Sequence, residues 1–149
     1  MAVTDSGLYV ATVVDVYDAT QLAIDMSLTS HKFALFNNSI TPNFTTDTAF
    51  GVAPYNANEV SGTGWAAGGI VFVAPTNSAT AGAYVFDQDN VTAAGTTLTG
   101  ARCGLGYADA LAGNNAIYLV DFNADFSTVA GVFTVQFAAG GVWSIDLTP

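Results

Sequence analysis

Near its C-terminus the chain alternates between apolar and polar residues with a period of two. Phe133, Val135 and Phe137 are separated by Thr134 and Gln136, and Trp143, Ile145 and Leu147 by Ser144 and Asp146. Successive side chains of a strand point to opposite faces, so each run specifies a β-strand with one apolar face. Residues 138–141 lie between the runs and contain two glycines, which can adopt the backbone angles of a tight reversal. The pattern predicts a C-terminal β-hairpin within residues 129–149, with three aromatic and three aliphatic side chains on one face.

The rest of the chain reads the same way. Tyr9, Val13, Val16 and Tyr17 recur at helical spacing, which predicts an N-terminal helix over 5–19, capped by Asp5 or Ser6, within a helical segment 1–20. Strands are expected at His31–Phe36, Trp65–Ala74, Tyr84–Phe86, Val91–Ala93, Thr96–Gly106 and Ile117–Phe122. Residues 39–64, rich in Asn, Thr and Pro, read as a surface excursion, Pro75–Gly82 as a turn and Asn123–Thr128 as a loop. The expected fold is mainly β: one domain over 1–149, a β-sandwich or flattened β-barrel with a short N-terminal helix.

Charge is scarce. Hydrophobic residues make up 51% of the chain and charged ones 9%, against about 25% in an ordinary globular domain. Such a chain covers its surface with small polar residues or turns apolar surface toward a partner. Twelve acids face only Lys32 and Arg102, for a net charge of −10. Phosphate backbones are bound by clustered cations, so nucleic acid is not an expected partner, and an anionic membrane surface is disfavoured for the same reason. Residues 60–86 and 126–145 carry no charge, but Gly, Ser, Thr, Asn and Gln interrupt both, so neither reads as a transmembrane helix. The first ten residues hold an acid and no cation, unlike a secretory leader, and synthesis in the cytoplasm is expected.

Residues that could carry chemistry are few. His31 is the sole histidine and Cys103 the sole cysteine, so a zinc site and an internal disulfide are not expected. His31 reads as a surface or satisfied histidine and Cys103 as a small buried apolar residue. Asp15 and Asp18 share a helical face but read as a solvated edge; Asp87 and Asp89 lie in a turn, where aspartate is common. Asp121–Asp125 opens like a calcium loop, D-x-N-x-D. Phe126 and Val132 stand where that loop needs Gly and Glu, which rejects an EF-hand and leaves a looser cation site there, or at Asp87/Asp89, as an open alternative. Residues 62–67, GTGWAA, mimic a dinucleotide fingerprint but precede the strand-like run Ile70–Val73 instead of a helix. No catalytic residue, cofactor or metal ligand is assigned.

One segment carries outside information. Asn58–Trp65 followed by Ala67–Gly69, NEVSGTGW-AGG, resembles the N-E-V-S-G-T-G-Y-x-A-G-G signature of small virion proteins of tailed bacteriophages. Lys32–Leu35, Thr41–Phe44, Gly131–Phe137 and Gly140–Val142 are similar to further stretches of that family, in the same order. Trp65 stands where the family usually has Tyr. The resemblance implies a non-enzymatic structural protein of a phage particle, foremost a capsid decoration protein. Such a protein sits on the outer capsid surface of the virion and binds the major capsid protein, as a homo-oligomer with a trimer favoured. A minor tail or head-fibre protein is the alternative, and a carbohydrate-binding module or hydrolase a distant one. The expected contact residues are Phe44, Phe50, Tyr55, Trp65, Ile70 and Phe72.

Overall fold

The computed structural model describes residues 2–148; Met1 and Pro149, the outermost residues of the expected helical segment and hairpin, lie outside them. In chain order the elements are β1 (Gly7–Leu8), α1 (Val10–Tyr17), β2 (Lys32–Phe36), β3 (Glu59–Val60), β4 (Ile70–Val71), β5 (Thr76–Thr80), β6 (Ala83–Asp87), β7 (Val91–Tyr107), β8 (Ala116–Val135) and β9 (Trp143–Asp146). They build two antiparallel sheets. The larger has the order β1-β8-β7-β2-β3, with β4 also paired to β2; the smaller has the order β5-β6-β9. The fold is therefore mainly β and sandwich-like, and it is not a closed barrel.

Strand β2 explains why the larger sheet needs cover on both faces. Its side chains alternate between two cores, Phe33 and Leu35 into one, Ala34 and Phe36 into the other, and all four are inaccessible to solvent. The first core is closed by the smaller sheet, whose Phe86 packs on Tyr118 and Phe72 at ring distances of 5.9 and 5.8 Å. The second is closed without a sheet. Tyr9, at the start of α1, meets Tyr55 edge-on, Tyr55 meets Phe36, and Phe50 stacks on Tyr107 with ring centroids 4.4 Å apart. The Asn- and Thr-rich excursion thus carries a hidden apolar set, Ile40, Phe44, Phe50 and Tyr55, which covers the back of the sheet.

Two glycines of β7 make the front face possible. A Cβ on Gly104 would lie 1.9 Å from the Phe33 ring, and one on Gly106 would lie 2.3 Å from the Tyr118 ring. Phe33 of β2 and Tyr118 of β8 therefore lean over β7 from either side, with centroids 6.2 Å apart. Glycine in a strand interior marks such a close approach.

The expected C-terminal hairpin does not form. The first run ends β8 and pairs with β7, Val135 opposite Val91; the second run is β9 and pairs with β6, Trp143 opposite Phe86. Period two specifies a strand but not its partner, and residues 136–142 cross from one sheet to the other. Ile145 is half-buried and Leu147 is 72% exposed, so the face expected to anchor the core does so only through Phe133 and Val135, with Phe137 and Trp143 packed at its margin.

The helix is shorter than expected and turns most of its apolar residues outward. Gly7–Leu8 pairs with Leu119 and Tyr118 of β8 before the helix begins. Tyr9 occupies the N-cap but its side chain makes no capping bond, while the Ser6 hydroxyl accepts the Asp121 N–H. Thr12 is the residue α1 buries, its hydroxyl donating to the Ala116 carbonyl. Of the four residues at helical spacing, Tyr9 is buried while Val13, Val16 and Tyr17 lie outside. Other boundaries move too. Of the expected strand at 65–74 only Ile70–Val71 forms a strand, Thr76–Thr80 is strand with its reversal at Ala81–Gly82, and Asn123–Thr128 lies within β8. The runs at 91–93 and 96–106 join as β7 across register shifts.

The family-like segment is a packing device. Glu59 Oε1 accepts the Gly68 N–H at 2.5 Å, and Gly62 and Trp65 exchange two backbone hydrogen bonds. A Cβ on Gly62 would stand 2.3 Å from the Thr97 carbonyl oxygen. One on Gly69, whose φ is +84°, would stand 2.1 Å from the Phe33 carbonyl oxygen. Gly69→Ala meets both a left-handed backbone and a neighbouring main chain, so it should cost about 2–4 kcal/mol. Gly95→Ala meets a left-handed backbone in open space and should cost about 1–2 kcal/mol. Urea unfolding of the two variants checks the order.

Candidate interaction surfaces

Most of the expected contact residues are structural. Trp65 is inaccessible to solvent and meets Phe133 edge-on at 5.6 Å. Phe72 and Tyr55 are also buried, in the first and second cores respectively. These three are corrected from contact residues to core residues: the turns around them fold back on the sheet, so the chain supplies their cover itself. Phe44, Phe50 and Ile70 are half-buried and pack on the same cores, Phe44 against Tyr9 at 5.3 Å.

The residues that could carry chemistry are dispersed. His31 is fully buried; its Nε2–H donates to the Asp25 carbonyl at 2.8 Å, and Nδ1 has no hydrogen-bond partner among the described residues. Cys103 is buried beneath Phe36, and burial pushes its thiol up to about 12. Burial also raises the hydroxyls of Tyr9 and Tyr55, which hydrogen-bond to each other. Among the described residues no three of His, Cys, Asp and Glu come together as a metal-ligand group.

Both cations are held in ion pairs. Lys32 Nζ lies 2.9 Å from Asp109 Oδ2, with both side chains about a third exposed. Arg102 is more enclosed. Its Nε donates to Asp121 Oδ1 at 2.8 Å and its Nη2 to the Val3 carbonyl at 3.0 Å. The Asp121 side chain is 3% exposed and also accepts the Asn123 N–H. The calcium-like opening at Asp121–Asp125 is thus organised around a guanidinium, and Asp125 lies 4.0 Å from Arg102 on its outer side. Asp87 accepts the Gln88 N–H in the turn that follows β6.

What the surface offers is apolar. On α1, Val10, Val13, Val14 and Tyr17 are 48, 37, 51 and 85% exposed. Their spacing of i, i+3, i+4 and i+7 puts them on one stripe, an amphipathic helix with its apolar side toward solvent. Asp15 and Asp18 lie in the same stretch. A second apolar stretch lies on β8, where Phe126, Val129 and Val132 are exposed beside a cleft of about 510 Å³. Sequence reasoning missed both. The signal on α1 was present in the spacing of Val10, Val13, Val14 and Tyr17, but periodicity alone does not tell an inward stripe from an outward one.

The chain matches no protein-family model, no curated protein and no solved structure.

Arg102→Met leaves the Asp121 carboxylate enclosed without its counter-charge and should cost about 3–5 kcal/mol in urea unfolding. The Cys103 thiol, buried and held protonated, should be inert to a thiol-labelling disulfide at pH 8 in the native state and react fully in denaturant.

Proposed function

We propose that the protein is a non-enzymatic structural component of a tailed-phage particle, a capsid decoration protein that binds the outer face of the major capsid protein lattice. The observation that carries this reading is the α1 stripe, four apolar side chains turned to solvent in a chain with few charges to spare. The resemblance of Asn58–Gly69 to virion proteins points to the same class.

The physical logic is cumulative. Covering the exposed parts of Val10, Val13, Val14 and Tyr17 contributes on the order of a few kcal/mol at each site. A lattice repeats that contact, and many weak contacts together brace a shell. Asp15, Asp18 and the net charge of −10 select a partner groove rimmed by Lys and Arg, so binding should weaken as salt rises.

The test uses particles lacking the chain, prepared from the phage that encodes it. The purified protein should co-sediment with them in many copies per particle. Val14→Lys with Tyr17→Lys should weaken binding at least about tenfold, a loss of 1.4 kcal/mol or more. Absence of binding overturns the proposal, and a few copies per particle moves the protein to the tail or a head fibre.

A further inference from the structure

Strand β8 is paired along one side only. β7 follows one edge from Tyr107 to Val91. The other edge is met by β1 at Tyr118 and Leu119, and the Asp121 N–H is taken by Ser6. From Phe122 to Val135 no strand of the described residues pairs on that side. Asn123 and Ala130, at φ of 60° and 48°, interrupt the free edge. Gly131–Val135 remains as an uninterrupted run of ordinary strand length. It ends where the Phe137 N–H is taken by Asn90.

Free edges of natural sheets are blunted by Lys, Pro or inward charges, since their unpaired N–H and C=O groups recruit other strands. Residues 126–145 contain no charged residue and no proline. Val132 is 64% exposed, and Thr134 is exposed beside it. The cleft of about 510 Å³ runs along the same stretch, lined by Phe122, Phe126, Thr128, Val132 and Thr134 among others. The outer edge of β5 is also unpaired among the described residues, but its five residues, TNSAT, are polar or small and have little apolar surface to bury.

Charge selects the occupant. A net charge of −10 opposes contact between copies wherever acids face one another. Beyond Asp125 the free edge of β8 is a neutral stretch from Phe126 to Val135, so a second copy meets no like charge along it, and a basic partner gains no attraction there. The α1 stripe, with Asp15 and Asp18 in it, is the poorer surface for a copy. An antiparallel strand pair is also self-complementary about a two-fold axis, so one edge can serve both partners.

We propose that the free edge of β8 is a self-association site, with Gly131–Val135 of one copy adding antiparallel to the same segment of a second. Centred on Phe133, this pairing sets Val132 of each copy across from Thr134 of the other. It closes as a dimer and does not depend on the phage reading, because it needs no other component.

Sedimentation velocity of the purified protein over roughly 1–100 μM should show a reversible monomer–dimer equilibrium. Val132→Lys with Thr134→Lys places like charges across the axis and should raise the dimer dissociation constant at least tenfold, with an unchanged circular dichroism spectrum. Val14→Lys with Tyr17→Lys should leave the dimer intact. In the wild type, hydrogen exchange of the amides in 131–135 should slow as concentration rises, a reading that needs no variant. A monomer throughout the range, a trimer, exchange in 131–135 independent of concentration, or a dimer lost only in the α1 variant would each overturn the proposal.

Discussion

The structure depends on aromatic rings crossing strand β7. Phe33 and Tyr118 reach over Gly104 and Gly106 from the two neighbouring strands, and the rings of Phe72 and Phe86 continue the cluster toward the smaller sheet. With side chains at 104 and 106, the two rings would be pushed off the sheet and the smaller sheet would lose its seat. Burying a large side chain contributes roughly 1.5–3 kcal/mol, and this cluster concentrates several at one place. The glycines weaken β7 as a strand in isolation, and the covering rings restore what they remove.

The same economy shapes the back of the sheet. A chain with so few charged residues has no ready supply of solvated helix faces to lay on it. It uses a loop instead, threading Ile40, Phe44, Phe50 and Tyr55 through Asn, Thr and Gly residues that take the outer side. The short α1 adds Tyr9 and Thr12 and then runs out of inward-facing residues. Its valines are left outside because the pairing of β1 with β8 directly before it sets the helix's position and rotation. The apolar stripe is therefore a consequence of how the chain enters the fold, and it is the surface on which the proposed function rests.

The two apolar surfaces differ in electrostatics, and that difference separates their uses. The α1 stripe lies among acids and suits a cationic partner; the free edge of β8 from Phe126 to Val135 is neutral and tolerates a copy of itself. With Lys32 and Arg102 both engaged by aspartates, no side-chain ammonium or guanidinium is left over to bridge two acidic copies. Arg102 instead holds the point where β8 departs from regular pairing, between its contacts at Cys103 and Ala101.

The sequence by itself determined the strand-rich class, the strand at β2 and the burial of Cys103. Each follows from local periodicity or the size and polarity of one side chain. Only the tertiary structure decided that the two alternating C-terminal runs join different sheets, that Trp65, Tyr55 and Phe72 are core, and that α1 turns its apolar side outward. Period two and period 3.6 specify which residues share a face, but not what that face meets. Partner choice is set by contacts between residues far apart in sequence, such as Phe86 with Trp143 and Gly7 with Leu119, and no local pattern encodes them.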